Sequence, residues 1–323
     1  MRRWLRFGAA LFFCMLLPME ARAAEYLIPV GRIVGLQLHG DSMTVVAYDD
    51  LLGGCARDAG IKIGDELLEI DGVAVSSVEE VRGALEKGGD SVELTVRRNH
   101  QCSRVSLTPA VTEEGPRLGV YLRQGISGVG TVTYYDPQTG IFGTLGHGVS
   151  DAKGKLLTMT RGSAYEAAVV TVKKGKSGDP GQLKGAAESD TTCGTLLRNT
   201  PQGVFGRASR GWEGEALPVA DYGEITTGQA QIRSTVSGGE PQEYSVEILK
   251  IYPQDRTDGR NFLIRVTDPK LLETTGGIVQ GMSGSPICQN GKIVGAVTHV
   301  LVNDPTMGYG IFIENMLDAA GGM

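Results

Sequence analysis

Glycine is the feature of this sequence that most restricts its fold, since 47 of the 323 residues are glycine, about twice the usual share of roughly 7%. The glycines have no fixed period, which excludes a collagen-like repeat. Between them lie short segments that alternate apolar and polar residues, for example 129–135, 244–251 and 293–299. Short strands separated by glycine turns predict a mainly β protein, built as a barrel or sandwich and not as a βαβ sheet.

Length and charge narrow the possibilities further. A chain of 323 residues is long enough for roughly two domains. The net charge is −6, and no cluster of Lys or Arg forms a phosphate-binding patch, which argues against nucleic acid as a partner. No C-x-x-C pair or His/Cys cluster predicts a metal, and we expect no cofactor. We interpret the cysteines beyond residue 23 as small buried hydrophobes, with disulfides as the alternative.

The N-terminus has the layout of a secretory signal peptide. Three arginines precede an uncharged apolar run at 7–19, and the sequence Ala-Arg-Ala follows at 21–23. The run is short for a bilayer span, although an uncleaved anchor is the alternative. Either form predicts that residues 1–23 direct the remainder of the chain out of the cytoplasm.

The first folded segment, predicted at 26–107, has the order of elements of a PDZ domain. It contains AGIKIGDEL at 59–67, a hairpin turn at Asp71-Gly72 and a capping box at 77–80 that opens a helix. PDZ domains bind an extended peptide beside a glycine-led strand. The resemblance implies a peptide groove, with a mere packing module as the alternative, and its predicted lining is Gly35, Leu36, Gln37, Leu38, Val78 and Val81. Residues 108–116 are predicted to be a linker, and 117–323 a second domain.

The second domain carries the candidate chemistry, in the sequence GMSGSP at 281–286. A serine nucleophile needs a base that takes its proton and donors that hold the oxyanion. The flanking glycines let the backbone turn sharply at the serine and leave N–H groups free to point at the substrate carbonyl. His147 lies between two glycines and is the candidate base, whereas His39 and His100 are expected on surface loops of the PDZ-like part. The fourth histidine, His299, follows the serine loop on a predicted strand.

Chain order distinguishes two serine architectures. In α/β-hydrolases a helix follows the nucleophile and the base comes later, but here Pro286 follows the serine loop. In chymotrypsin-like barrels the base precedes the serine, as His147 precedes Ser283. The orienting acid is less determined. Asp268 ends a predicted strand, and the alternatives are Asp136, Asp151 and Asp190.

Longer motifs resemble one family. The segments GGIVQGMSGSPI at 276–287, GAVTHV at 295–300, GIFIENM at 310–316 and TLGHG at 144–148 closely resemble the SpoIVB (stage IV sporulation protein B) peptidases. That resemblance implies a signal segment, a PDZ domain and a chymotrypsin-like β-barrel peptidase domain. It also implies the triad His147, Asp268 and Ser283, although an acid only 15 residues before the serine is unusual for chymotrypsin-like enzymes.

Two further site roles are predicted. The backbone N–H groups of Gly281 and Ser283 are expected to form the oxyanion hole. His299 is expected to line the primary specificity pocket, because the strand after the serine loop forms a wall of that pocket in chymotrypsin-like enzymes. The alternative is that His299 is an ordinary core histidine.

The family resemblance implies a signalling role in endospore formation. Such a peptidase acts between the forespore and mother-cell membranes, where it cleaves the outer part of a membrane-bound regulator, and itself, to start the processing of a late sigma factor. Two other functions compete with this one. The first is a secreted PDZ adaptor with an inactive peptidase fold. The second is a quality-control protease of the HtrA type, in which the PDZ domain follows the protease.

Overall fold

The computed structural model describes residues 26–99, 101–151, 154–256 and 258–321. The predicted signal segment and His100 lie outside the described residues. Strands make up 54% of the structure and helices 12%, which confirms the mainly β prediction. No helix among the described residues is long and apolar enough to cross a membrane.

Six antiparallel strands form the first barrel. β2 pairs with both β9 and β11, and this closes the ring in the order β9, β10, β13, β12, β11, β2. Buried apolar side chains such as Phe142 and Leu196 fill its interior. The strands are β2 (Ile33–Tyr48), β9 (Val120–Tyr135), β10 (Ile141–Thr144), β11 (Arg161–Lys173), β12 (Gln182–Thr200) and β13 (Gly203–Ala208), with β1 (Tyr26–Pro29) and β14 (Leu217–Pro218) beside them.

The PDZ domain is inserted into this barrel. The C-terminal part of β2 (residues 43–48) pairs with the N-terminal part of β9 (residues 120–124) outside the barrel. A second hydrophobic core forms there. This part contains α1 (Gly53–Asp58), β3 (Glu66–Ile70), β4 (Val73–Ala74), α2 (Val78–Lys87), β5 (Val92–Arg98) and β6 (Gln101–Leu107).

The predicted domain boundaries differ from this pairing. Residues 26–38 form strands with the peptidase barrel, although the sequence placed them in the PDZ domain. The predicted linker 108–116 contains most of a small hairpin, formed by β7 (Ala110–Thr112) and β8 (Gly115–Arg117). An alternating strand has the same pattern whichever sheet it joins, so the change of partner within β2 leaves no signal in the sequence.

The second barrel closes in the order β15, β16, β17, β20, β19, β18. Phe262 and Phe312 meet edge to face in its core, with ring centroids 4.5 Å apart. Two six-stranded antiparallel barrels agree with the predicted chymotrypsin-like architecture. The elements are β15 (Gly228–Ser234), β16 (Gln242–Ile251), β17 (Phe262–Val266), α3 (Pro269–Thr275), β18 (Pro286–Gln289), β19 (Lys292–Leu301), β20 (Asp304–Phe312) and α4 (Ile313–Ala320).

Candidate active site

The serine loop connects α3 to β18 and depends on two glycines in the left-handed region. Gly281 has φ of 100° and Gly284 has φ of 95°. A Cβ atom on Gly284 would lie only 2.0 Å from the Thr131 carbonyl oxygen, so no larger residue fits there. Ser283 lies between them and is partly buried. The backbone therefore makes the sharp turn that the sequence predicted around the nucleophile.

Thr131 of β9 joins the serine loop to the histidine loop. Its hydroxyl donates to the Gly281 carbonyl (2.8 Å) and its N–H donates to the Ser283 carbonyl (3.0 Å). Its own carbonyl accepts hydrogen bonds from the Thr144 hydroxyl (2.6 Å) and the Leu145 N–H (3.3 Å). Thr131 is fully buried. One residue of the first barrel thus fixes both loops that carry the candidate catalytic groups.

His147 follows β10 through two residues with positive φ, Leu145 at 70° and Gly146 at 66°. Its Nδ1 lies 3.0 Å from the Gly148 carbonyl oxygen. A carbonyl only accepts, so Nδ1 carries a proton and Nε2 of the neutral ring is left as an acceptor. Burial lowers the pKa of His147 from 6.5, and the bond to Gly148 opposes part of that effect. The ring is therefore neutral near pH 7, as a general base must be.

The Ser283 hydroxyl is held by backbone in this structure. Its Oγ donates to the Thr298 carbonyl over 2.8 Å. No hydrogen bond between Ser283 and His147 occurs among the described residues. A catalytic hydrogen bond of this kind is often long or absent in a resting enzyme. The structure therefore brings the two loops together without joining the two side chains.

Asp268 is the N-cap of α3. Its Oδ1 accepts from the Leu271 N–H (3.0 Å) and its Oδ2 from the Ser245 N–H (3.3 Å). Pro269 occupies the first helical position, where its missing N–H costs nothing. Within the described part of the chain, no hydrogen bond connects Asp268 to His147. The triad role of Asp268 stays a prediction.

The two predicted oxyanion donors make no hydrogen bond within the described ranges. By contrast, the N–H of Met282 donates to Val279 (3.1 Å) and that of Gly284 to Val297 (2.7 Å). Ser285 is buried, and its Oγ lies 2.7 Å from the Met282 carbonyl oxygen. Ser285 thus bonds backbone inside the turn. The oxyanion role of the Gly281 and Ser283 amides stays a prediction.

His299 lies beside the candidate base. The ring centroids of His299 and His147 are 5.3 Å apart, and His299 Nδ1 is buried with no hydrogen-bond partner among the described residues. Burial is the main cause that lowers the pKa of His299 to about 4. Repulsion from His147, when that ring is protonated, and from Arg260 lowers it further, and Asp258 partly offsets this effect. The role of His299 in the specificity pocket stays a prediction.

The prediction for the peptide groove is wrong for one of the two walls, the strand at residues 35–38. Residues 35–38 pair with β9 on one edge and with β11 on the other, so no peptide strand can be added there. Val78 and Val81 do line a groove of about 750 Å³, but the strand opposite them is residues 118–122. Among the described residues, the N-terminal part of β9 (residues 120–124) pairs only with β2, so the other edge of this part of β9 is open.

A sequence signal for this strand exists and was missed. Leu118, Gly119 and Val120 repeat the pattern of a glycine before alternating apolar residues. Gly119 has φ of 70°, and a Cβ there would lie 2.3 Å from the Leu52 carbonyl oxygen. The glycine is thus required by a close approach of backbone at the end of the groove.

Comparison with known proteins identifies the family. Residues 114–317 match the family described as SpoIVB peptidase S55, and residues 52–98 match the PDZ domain family. The chain belongs to the SpoIVB peptidase S55 family. It is therefore a serine peptidase that contains a PDZ domain. The S55 match covers the histidine loop and the serine loop, and it includes the end of β9 that forms one wall of the groove.

Other similar proteins match parts of the chain. A putative zinc metalloprotease of Bartonella henselae is 33% identical over 91 residues, which are 26% of this chain and 25% of that protein. This chain thus spans only a quarter of that relative. The PDZ domain of an SdrC-like protein from Listeria monocytogenes has 26% identity and a TM-score of 0.22, covering 25% of this chain and 87% of that one. The inactive form of the Rv3671c protease has 15% identity and a TM-score of 0.34, and the match covers 61% of this chain and 85% of that one.

A metal site is not formed by the described residues. Nowhere in the described ranges do three or more His, Cys, Asp or Glu side chains gather as metal ligands. The four described cysteines are not paired in disulfides. Burial raises the pKa of the Cys288 thiol to about 12 and that of Cys193 to about 11, so neither is a reactive thiolate at neutral pH.

Proposed function

We propose that this S55 peptidase hydrolyses peptide bonds with Ser283 as nucleophile and His147 as general base. The observation that supports this most directly is the set of four hydrogen bonds through which Thr131 holds both loops. A residue with no chemistry of its own connects these two loops across the boundary between the barrels. Such fixed positioning of reacting groups is a main source of catalytic rate.

The reaction follows from the groups present. The Ser283 Oγ turns from the Thr298 carbonyl to His147 Nε2, gives up its proton and attacks the substrate carbonyl carbon. The N–H groups of Gly281 and Ser283 stabilise the oxyanion that forms. His147 then passes the proton to the leaving amine, which leaves an acyl ester on Ser283. Water, deprotonated by His147, hydrolyses that ester and restores the serine.

The biological role that we propose is a selective signalling cleavage. The peptidase is exported, acts between the forespore and mother-cell membranes, and cleaves the extracytoplasmic part of a membrane-associated regulator as well as itself. Membership of the S55 family supports this role. Degradation of many unfolded proteins by the purified protein would favour an HtrA-type role instead.

The PDZ domain is proposed to present a peptide tail of the substrate. The tail adds as a strand to the open edge of β9, and α2 contributes the second wall of the groove. An unpaired strand edge beside an apolar helix face is the arrangement that this mode of peptide binding needs.

Fluorophosphonate labelling of the full exported chain tests the enzyme against the inactive adaptor. We expect wild type to be labelled and Ser283→Ala to be unlabelled with an unchanged melting temperature. Ser285→Ala is the matched control, because its buried hydroxyl lies two residues away in the same loop. Equal labelling of wild type and Ser283→Ala would contradict the assignment of the nucleophile.

A further inference from the structure

A cleft of about 110 Å³ lies between the PDZ domain and the segment that follows the histidine loop. One wall of the cleft is a row of residues that lie directly opposite one another on adjacent strands. Thr44 of β2 pairs with Arg123 of β9 on one side and with Glu66 of β3 on the other. Glu66 in turn pairs with Arg97 of β5. Opposed residues of antiparallel strands share a face of the sheet, so the row presents its charges to the cleft together.

The second wall is formed by Asp151 and residues 155–158. This segment is attached to the peptidase barrel through Asn199 of β12. The Asn199 side chain accepts a hydrogen bond from the Val149 N–H (2.9 Å) and donates one to the Leu157 carbonyl (2.9 Å). One side chain thus holds both ends of the segment, and the second wall of the cleft belongs to the peptidase domain.

Several hydrogen-bond donors in the cleft have no partner. The side chains of Arg123 and Lys155 form no ion pair and no hydrogen bond with other described residues. The hydroxyls of Ser42, Thr44 and Thr158 also line the cleft and have no hydrogen-bond partner within the described ranges. Two cationic groups and three hydroxyls therefore border one small space with their donor capacity unused.

The acidic groups of the lining are Glu66 and Asp151, and both carboxylates already accept hydrogen bonds. Arg97 donates to Glu66 Oε2 from Nε (2.7 Å) and Nη2 (2.5 Å). The Lys155 N–H donates to Asp151 Oδ1 (3.0 Å). The lining holds three positive and two negative side chains, which leaves one positive charge in excess. An anion would balance this charge and accept from the unused donors.

We propose that this cleft binds a small free oxyanion of the phosphate type, with Arg123 and Lys155 as its charged donors. Hydrogen bonds from cationic side chains to an oxyanion are among the strong ones. A single water molecule needs only about 10–15 Å³ of such space, so the cleft has room for a compact ion. The sequence shows no basic cluster because residues 97, 123 and 155 come together only through folding. This inference does not rest on the proposed function.

A bound ion would connect the PDZ sheet to the histidine loop. Leu156 lines the cleft and also touches the backbone beside the candidate base, since a Cβ on Gly148 would lie 2.3 Å from Leu156 Cδ1. The Gly148 carbonyl oxygen lies 3.0 Å from His147 Nδ1. An ion held by Arg123 on one wall and Lys155 on the other restrains the segment that carries Leu156. The site is therefore placed to make the position of the histidine loop depend on the PDZ domain.

Calorimetric titration with inorganic phosphate tests the site. The full exported chain is used in the Ser283→Ala background, which prevents self-cleavage, and sodium chloride keeps the ionic strength constant because salt screens exposed charges. We expect saturable binding of one ion. Arg123→Gln and Lys155→Gln should each weaken it by at least about 10-fold, through loss of a charged hydrogen bond. Arg104→Gln is the matched control, since Arg104 is 73% exposed on the same sheet and does not line the cleft.

Hydrogen exchange tests the connection between the two domains. Phosphate should slow amide exchange in residues 154–158 of the parent protein and leave it unchanged in Arg123→Gln. Absence of saturable binding, or equal affinities for Arg123→Gln, Lys155→Gln and Arg104→Gln, would overturn the site. Binding without any change in exchange would overturn the connection to the histidine loop. Neither measurement depends on the reactivity of Ser283, so the proposed function is tested separately.

Discussion

The hydroxyl of Thr131 donates to the carbonyl of Gly281 over 2.8 Å, between residues 150 positions apart in the chain. This bond crosses from the first barrel to the serine loop of the second. Both partners are buried, so neither has water as a substitute partner.

Thr131→Val should therefore impair catalysis more than binding. We expect kcat to fall by about 10- to 100-fold with little change in KM, because a shift of the serine loop by about 1 Å can cost on the order of 100-fold. Stability should fall by about 1–3 kcal/mol, since the Gly281 carbonyl loses its side-chain donor. Thr133→Val is the matched control, because Thr133 is equally buried and its hydroxyl has no partner in the described structure. Equal kcat values for the two variants would count against the bridge.

Gly284→Ala should abolish labelling at Ser283. The added methyl group would lie 2.0 Å from the Thr131 carbonyl oxygen and 2.5 Å from the Leu145 nitrogen, both of them backbone atoms. Gly291→Ala is the control, because Gly291 also has positive φ, at 75°, and open space around it. Both variants carry left-handed strain of about 1–2 kcal/mol, so a larger loss at 284 measures the clash. Equal melting temperatures and labelling would show that the loop has room.

His299 should make the protein less stable as the pH falls from 6.5 towards 4. The folded state binds a proton at His299 only near pH 4, whereas the unfolded chain binds one near pH 6.5. The unfolded state thus holds more protons in this window, and stability is greatest above it. We expect His299→Gln to show a smaller loss of urea stability between pH 7 and pH 4.5. Parallel pH profiles for the two proteins would contradict this assignment.

Cleavage preference tests the predicted specificity role of His299. If the imidazole lines the primary pocket, His299→Ala should change which side chains are accepted before the scissile bond. A library of peptide substrates read by mass spectrometry provides the measurement. An unchanged preference, with kcat/KM altered equally for all peptides, would leave His299 as a neighbour of His147 only.

Peptide binding at the PDZ domain can be tested through Val78. This side chain lines the groove and is 43% exposed, so Val78→Asp places a charge where an apolar side chain of the peptide would lie. We expect binding of an apolar C-terminal peptide to weaken by at least about 10-fold, measured by fluorescence anisotropy. Val73→Asp is the control, since Val73 is 61% exposed and does not line the groove. Equal affinities would remove the groove as the binding site.

The sequence predicts the parts of the site that depend on local backbone. Gly281 and Gly284 adopt the positive φ that a sharp serine turn needs, and the glycine before His147 does the same. The Ser77 side chain accepts a hydrogen bond from the Glu80 N–H at the start of its helix, as the capping box predicts. Such features are determined within a few residues, and a local pattern is enough to find them.

Features that depend on distant partners were not predictable. The glycine-led strand at 35–38 resembles the peptide-binding strand of a PDZ domain, but β11, which begins more than 120 residues later, pairs with its edge. Asp268 follows strand β17, but the sequence does not show that its carboxylate accepts a hydrogen bond from the N–H of the distant Ser245. The bridge from Thr131 was also missed, since nothing local distinguishes this threonine from Thr133.

Because the PDZ domain is an insertion, an internal deletion can remove it from the peptidase barrel, whereas a single cut in the chain cannot. The domain occupies the place of the turn between β2 and β9, and Leu38 and Ile126 face each other directly where it begins and ends. A short loop from 38 to 126 would excise the PDZ domain and leave a hairpin, with all six barrel strands still present. Cutting the chain at residue 107 would instead strip β2 from the barrel and leave Thr131 on an unsupported edge.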